Sequence, residues 1–77
     1  MNKVRRQDLA EIFDTLDEAI SQLGDVRDEE QEALDNLPES FQESPRGEAM
    51  QEAIDAMDAV ESAIEDVKAM IQDIIDA

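Results

Sequence analysis

The feature of this sequence that most constrains its fold is a seven-residue repeat of large apolar residues in both halves of the chain. In the first half, one row contains Leu9, Leu16, Leu23 and Leu37, and a second contains Phe13, Ile20 and Leu34. The rows are three and four residues apart, which is the spacing of neighbours on one face of a helix. No proline interrupts residues 6–37. The first half is therefore predicted to be one long helix.

The second half repeats the pattern with smaller side chains. Met50, Met57, Ile64 and Ile71 form one row, Ala53, Val60, Val67 and Ile74 form the next, and Ala49, Ala56, Ala63 and Met70 flank them. Alanine lets helices approach closely, and methionine fills irregular gaps. The first two rows are predicted to form the seam against the first helix.

The connector contains the residues that end one helix and start another. Pro38 disfavours helix at the residue before it, whereas Ser44 and Pro45 suit the cap and first position of a new helix. A single helical turn at residues 38–41 is expected to fold Phe41 over the end of the helices. The predicted fold class is all-α, with one domain (1–77) that forms an antiparallel, coiled-coil-like two-helix hairpin. Helix 1 covers about 5–36, the hinge 37–45 and helix 2 about 46–76.

A third apolar row lies beside the seam of helix 1. It contains Ile12, Ala19, Val26 and Ala33, so the stripe is wider than two helices require and resembles that of a helix with two neighbours. We therefore predict a homodimer in the form of a four-helix bundle; the alternative is a monomeric hairpin that buries the stripe against its target. The predicted self-association residues are Ile12, Leu16, Val26, Ile54 and Ile75.

Two charged residues, Arg27 and Glu30, occupy positions where the rows require apolar side chains. Polar residues within a helical seam often fix the register or the oligomeric state. The spacing of three residues predicts an internal ion pair between them. The alternative is a role in binding a partner.

The chain is strongly acidic, with 22 Asp and Glu residues against 6 Lys and Arg and a formal charge of -16. Such a surface repels nucleic acid and anionic membranes, so a basic protein partner is expected. Opposite the seam of helix 1, the acidic residues repeat every seven positions. The predicted partner-binding residues are Glu11, Asp14, Glu18, Asp25, Asp28, Glu32 and Asp35. These carboxylates either imitate a nucleic-acid backbone or serve only to keep the protein soluble.

The sequence lacks residues on which several classes of function depend. The absence of histidine and cysteine removes imidazole and thiolate metal ligands, cysteine nucleophiles and the commonest general base. Carboxylate di-metal bundles usually need histidine as well, and no glycine-rich phosphate loop occurs. We therefore predict no enzymatic activity, no metal and no cofactor. No apolar run is long enough to span a bilayer, so a soluble, cytoplasmic protein is expected.

The hinge and its flanks resemble a known group of proteins. The segments DEEQEALDNLPES (residues 28–40) and SPRGEAM (residues 44–50) are similar to the central signature of small acidic proteins encoded by bacteriophages, prophages and related mobile elements. The resemblance implies a bacterial intracellular setting. By analogy of class, it suggests an inhibitor or modulator of a basic, nucleic-acid-binding host protein. The alternative function is a structural or adaptor module that self-associates through its apolar stripe.

Overall fold

The computed structural model describes residues 1–77 and contains three helices, α1 (Lys3–Asp35), α2 (Glu39–Gln42) and α3 (Pro45–Asp76). The prediction of an all-helical chain is confirmed. The two long helices form an extended pair that measures 58 × 15 × 12 Å. The single turn of α2 lies in the connector between them.

Side-chain caps and prolines explain where the long helices begin and end. The side-chain oxygen of Asn2 accepts a 2.9 Å hydrogen bond from the backbone N–H of Arg5 at the start of α1. Ser44 does the same for the backbone N–H of Gly47 at the start of α3, at 3.4 Å. These bonds satisfy N–H groups that lack a partner within the first turn. At its other end α1 stops at Asp35, before Pro38.

Two contacts between α1 and α3, and one from α1 to the residue that follows α3, show how the long helices are oriented. Arg6 donates to the backbone oxygen of Ala77, Lys68 donates to Asp17, and Arg27 donates to Asp58. Asp17 and Arg27 are ten residues apart on α1, and their partners are ten residues apart on α3 in the reverse order. The two helices therefore lie side by side in opposite directions and keep a constant register.

Gly47 is buried where α2 rests on the first turn of α3. A Cβ at this position would collide with the main-chain oxygen of Gln42 and would lie 2.5 Å from its main-chain carbon and 2.7 Å from the main-chain oxygen of Phe41. No residue has a positive φ, so the glycine is needed for space rather than for an unusual backbone conformation. Phe41 itself is 54% exposed. The expectation that its ring covers the end of the helices is wrong, because the backbone of α2 packs there instead.

The rotation of α3 about its own axis differs from the predicted one. Ile54 is 0% exposed and Lys68 is 8% exposed, whereas Val60 and Val67 are 47% and 45% exposed. The inner positions of α3 are therefore Gly47, Ile54, Lys68 and Ile75, and they replace the predicted row that contains Val60 and Val67. The other predicted row, Met50, Met57, Ile64 and Ile71, is half-buried beside them. Gly47 supplies the physical reason: it has to face α2, and Ile54, Lys68 and Ile75, which follow it at multiples of seven residues, lie on the same side of α3. Glu61 belongs to the same row but is exposed.

The core of the helix pair is very small. Only four of 77 residues are buried, and Leu34 and Ile54 are the only two with large apolar side chains. The other seam residues are half-buried, because each helix meets only one neighbour and the opposite side of the seam faces solvent. The fold therefore leaves long stretches of both helices exposed.

Candidate interaction surfaces

Lys68 is the most buried charged side chain, and its contacts mark one side of the helix pair. Its ammonium group donates to Asp17 Oδ1 at 2.5 Å and to Glu65 Oε2 at 3.4 Å. It also lies 4.8 Å from the centre of the Phe13 ring, within the range of a cation–π interaction. Its long stem can pack in the seam while the charged head reaches two carboxylates.

Arg27 lies on the same side of the helix pair as Lys68, closer to the hinge. Its Nε donates to Asp58 Oδ1 at 3.0 Å, and its NH1 lies 3.5 Å from Asp28 Oδ1. The predicted ion pair between Arg27 and Glu30 is wrong, because the guanidinium reaches across to Asp58 of α3 and, within α1, pairs with Asp28 and not with Glu30. Arg27 thereby ties the two long helices together, whereas the predicted pair would have joined two residues of one helix.

The ion pairs define a polar face of the helix pair. Asp17, Asp58 and Glu65 each come one residue after a seam residue, namely Leu16, Met57 and Ile64 respectively. In antiparallel helices, residues that follow these seam positions lie on the same side of the pair. We call this side the polar face.

The opposite side of the helix pair is apolar. Ile12 and Val26 come one residue before the seam residues Phe13 and Arg27, and on α3 Val67 comes one residue before Lys68. Such positions lie on the side away from the ion pairs. We call this side the apolar face, and its residues are Ile12, Ala19, Val26 and Ala33 of α1 with Ala53, Val60, Val67, Met70 and Ile74 of α3. Its large side chains are between 45% and 66% exposed.

The structure places the predicted self-association residues in two different environments. Ile12 and Val26 are 49% and 54% exposed on the apolar face. Leu16 and Ile75 are half-buried in the seam, and Ile54 is completely buried. The assignment of Ile54 to a self-association surface is therefore wrong, because its side chain has no exposed surface within one chain.

The α3 half of the apolar face, with Val60, Val67, Met70 and Ile74, was not assigned to that surface from the sequence. Hydropathy favours valine over lysine in a seam, so nothing in the apolar rows indicates that Lys68 points inward and Val67 outward. The signal that could have revealed it is the seven-residue row that starts at Gly47, just after the hinge, and contains Ile54 and Lys68. Glu61, in the same row, is exposed.

The seven predicted partner-binding carboxylates are all exposed on α1: Glu11, Asp14, Glu18, Asp25, Asp28, Glu32 and Asp35. Asp28 lies beside Arg27, and Asp35 accepts a 3.0 Å hydrogen bond from Gln31. Across the whole chain only Asp17, Asp28, Asp58 and Glu65 take part in ion pairs. The remaining 18 of the 22 acidic residues have no cation beside them.

An open depression of about 680 Å³ lies near the hinge between α1 and α3. Eight residues line it, and Leu34 is the only apolar one. No cluster of three or more acidic side chains is arranged to hold a metal ion. None of the helices combines the length and the apolar character needed to cross a membrane.

No family model, curated protein or solved structure matches the chain. The resemblance to acidic proteins of mobile elements therefore stays a prediction that concerns the hinge and its flanks.

The contacts of Lys68 predict how stability depends on alkaline pH. The hydrogen bond to Asp17 raises the pKa of Lys68 above its ordinary value, with a further contribution from Glu65. A group whose pKa is raised by folding stabilises the fold below its unfolded pKa, and this contribution disappears as the pH rises through the folded value. We expect the free energy of unfolding to fall above about pH 10.4, the ordinary lysine pKa.

Urea unfolding followed by circular dichroism between pH 8 and pH 12 measures this effect. Lys68→Met keeps the apolar stem and should weaken the dependence on pH, whereas Lys3→Met, which removes a lysine that forms no ion pair, should retain it. An equal slope in the two variants would show that the contacts of Lys68 contribute nothing.

Proposed function

We propose that this chain is a non-enzymatic interaction protein that binds a basic, nucleic-acid-binding protein through its acidic surface. The observation that supports the proposal most directly is that 18 of 22 acidic residues have no cation beside them in the folded chain. A chain with this excess carries a long negative potential that attracts a positively charged cleft. The proposed result of binding is inhibition or modulation of a host protein in the bacterial cytoplasm.

The spacing of the charges supports imitation of nucleic acid. The 16 net charges are spread over a length of 58 Å, which is about one charge per 3.6 Å. One strand of duplex DNA carries a charge every ~3.4 Å along its axis. A single chain therefore has about the linear charge density of one nucleic-acid strand, on a rigid helical support.

Screening indicates which interactions of the acidic row persist under physiological conditions. Carboxylates seven residues apart, such as Glu11 and Glu18, lie about 10.5 Å apart along a helix. The Debye length at physiological ionic strength is about 8 Å. Neighbours in the row therefore repel one another only weakly, whereas a cation of the partner in direct contact with a carboxylate is attracted with little screening.

The proposed architecture places these carboxylates on the outside of the assembly. In solution the pair of long helices is a hairpin, and two hairpins associate into a four-helix bundle. The acidic row of α1 lies away from the seam in such a bundle and stays accessible to a partner.

Affinity capture from a bacterial lysate, washed with increasing salt, tests the proposal when each captured protein is then purified. The expected partner is basic, binds with micromolar or tighter affinity, loses affinity steeply as salt increases, and is displaced by duplex DNA added as competitor. Reversal of four charges, Glu11→Lys, Glu18→Lys, Asp25→Lys and Glu32→Lys, should abolish the binding.

The matched control reverses four acids elsewhere on the chain, Glu43→Lys, Glu52→Lys, Asp66→Lys and Asp73→Lys, and so produces the same net charge. Loss of binding only in the first variant supports a specific acidic row on α1. Binding that survives the reversal of this row would contradict the proposal.

The apolar face supports a second candidate function, a structural or adaptor module whose acidity serves only solubility. Its large side chains are exposed along both long helices, and in that case charge reversal on α1 would leave binding to any partner unchanged. Substitutions on the apolar face would then abolish it.

A further inference from the structure

We infer that the apolar face is the binding surface for a second copy of this chain, which docks face to face and antiparallel along the long axis. The open end of one copy, where α1 begins and α3 ends, then lies over the hinge of the other. The inference adds a surface and an orientation to the bundle proposed above. It does not depend on binding of a basic partner.

The small core of the single chain is the first support. Ile54 is the only large side chain that is fully buried, whereas six large apolar side chains stand at least 45% exposed on the apolar face: Ile12, Val26, Val60, Val67, Met70 and Ile74. A contiguous exposed apolar surface of this kind marks an interface in soluble proteins. The single chain thus leaves a row of large apolar side chains on one side that a second copy can cover.

The available area fits a stable dimer. The extents of the helix pair, 58 Å by 15 Å, give a footprint of roughly 870 Å². Stable protein interfaces bury about 800 Å² from each partner. Two copies that overlap along most of their length reach this size, whereas a contact limited to one end does not.

Charge selects the second copy's orientation. The hinge half of the chain (residues 21–64) has 13 acids and 2 bases, a balance of -11, whereas the open half (residues 1–20 and 65–77) has 9 acids and 4 bases, a balance of -5. Parallel docking places the two -11 halves together. Antiparallel docking avoids this repulsion and places Lys3, Arg5 and Arg6 of each copy near the acidic hinge half of the other.

The order of large and small residues favours the same orientation. Along α1 the apolar face reads Ile12, Ala19, Val26, Ala33. In antiparallel docking α1 lies over α1 of the second copy in reverse order, so that Ile12 faces Ala33 and Ala19 faces Val26. Large side chains opposite small ones fill an interface without voids.

Parallel docking would place α1 over α3 of the second copy and would match sizes poorly. The register of the ion pairs then brings Ile12 near Ile74 and Ala33 near Ala53. Large residues would meet at the open end and alanines at the hinge end, so the two faces could not stay in contact along their length. Antiparallel docking is therefore favoured by side-chain size as well as by charge.

The antiparallel dimer also changes the linear charge density. Two copies side by side carry 32 net charges over about the same 58 Å, or roughly one charge per 1.8 Å. Duplex DNA carries one charge per ~1.7 Å of its axis. For the nucleic-acid imitation proposed above, on which this one consequence rests, the dimer and not the single chain matches a duplex.

Sedimentation of the purified wild-type chain tests the interface. We expect a dimer of twice 8.6 kDa whose dissociation constant falls as salt increases, because salt screens the repulsion between two acidic copies. Val67→Asp, at a 45% exposed position of the apolar face, should raise the dissociation constant about 100-fold or more, since it buries an unpaired charge twice. Ser62→Asp adds the same charge to an exposed position of α3 outside this face and should change it little.

A monomer in the wild type at 100 μM (about a hundred times a micromolar dissociation constant) would overturn the inference, as would equal dimerisation of the two variants. If Val67→Asp loses its helical structure, the inference is tested on the wild-type chain alone, through the dependence of its helicity on protein concentration. Helicity at 222 nm that falls on dilution supports an interface required for folding. Helicity that is independent of concentration in a monomer contradicts it.

Spin labels test the orientation. The chain has no cysteine, so Gln7→Cys gives one label near the open end of each copy. With Ile12 opposite Ala33, position 7 of one copy lies opposite position 38 of the other, so an antiparallel dimer places these labels about 46 Å apart, from a 31-residue offset at 1.5 Å per residue. A parallel dimer brings them below about 25 Å, the width of a bundle. Ser62→Cys, near the middle of the long axis, should give a short distance in either orientation. A short distance from Gln7→Cys overturns antiparallel docking.

The sign of the salt effect separates this inference from the proposed function. Dimerisation should strengthen with salt in the purified protein, whereas binding to a basic partner should weaken. A chain that dimerises but binds no basic protein would leave the inference intact, and a monomer that binds one through its acidic row would overturn only the dimer.

Discussion

Replacement of Ile54 by alanine should destabilise the protein by about 2–5 kcal/mol, the usual effect of truncating a buried isoleucine. Ile54 is the only large side chain with no exposed surface, so the cavity lies in the most tightly packed part of the helix pair. A domain of this size rarely has more than about 3–5 kcal/mol of stability from its core. We therefore expect the variant to be largely unfolded near room temperature.

Thermal and urea unfolding at one fixed protein concentration measure this loss. Val4→Ala is the control, because it removes methyl groups from a helix at a position that is 66% exposed. It should change stability by less than about 0.5 kcal/mol. If Ile54→Ala were as stable as the control, α3 would have to be rotated so that the row of Val60 and Val67 faces α1.

Alanine at the two glycines should have opposite effects on stability. At Gly47 a methyl group collides with the backbone of Gln42 and Phe41, which cannot move without displacing α2. Overpacking of this kind costs about 1–3 kcal/mol. At Gly24 nothing lies within 4 Å of an added Cβ, so alanine should stabilise α1 by up to about 1 kcal/mol through its better helix propensity.

Chemical unfolding of the two alanine variants beside the wild type is the measurement. The pair is internally controlled, because both changes add one methyl group within a helix and leave the charge unaltered. Stabilisation by Gly47→Ala would mean that α2 does not rest on α3, and it would remove the reason given for the rotation of α3.

The rotation of α3 matters for every surface of the molecule. With Gly47, Ile54 and Lys68 turned inward, Val60 and Val67 become part of an exposed apolar face instead of a seam. The ion pairs of Arg27 and Lys68 then occupy the other side. Two sides of different character result, one lined by exposed apolar side chains and the other by ion pairs.

Much of this arrangement follows from the sequence, because it depends on local spacing. The seven-residue rows predict two long helices, Pro38 and the pair Ser44 and Pro45 predict the break between them, and the repeat of acids opposite the seam predicts an exposed negative surface along α1. The apolar row of Ile12 and Val26 is likewise evident beside the seam. These features need only the geometry of a helix.

The identity of the inner row of α3 could not be obtained in this way, because hydropathy ranks valine above lysine for a buried position. The tertiary structure decides it by packing the backbone of α2 against Gly47, which fixes the rotation of α3 and turns Lys68 toward Asp17. The sequence by itself thus determined the helices, their break and their charge. Only close backbone packing at the hinge decided which side of α3 is buried and which side stays exposed.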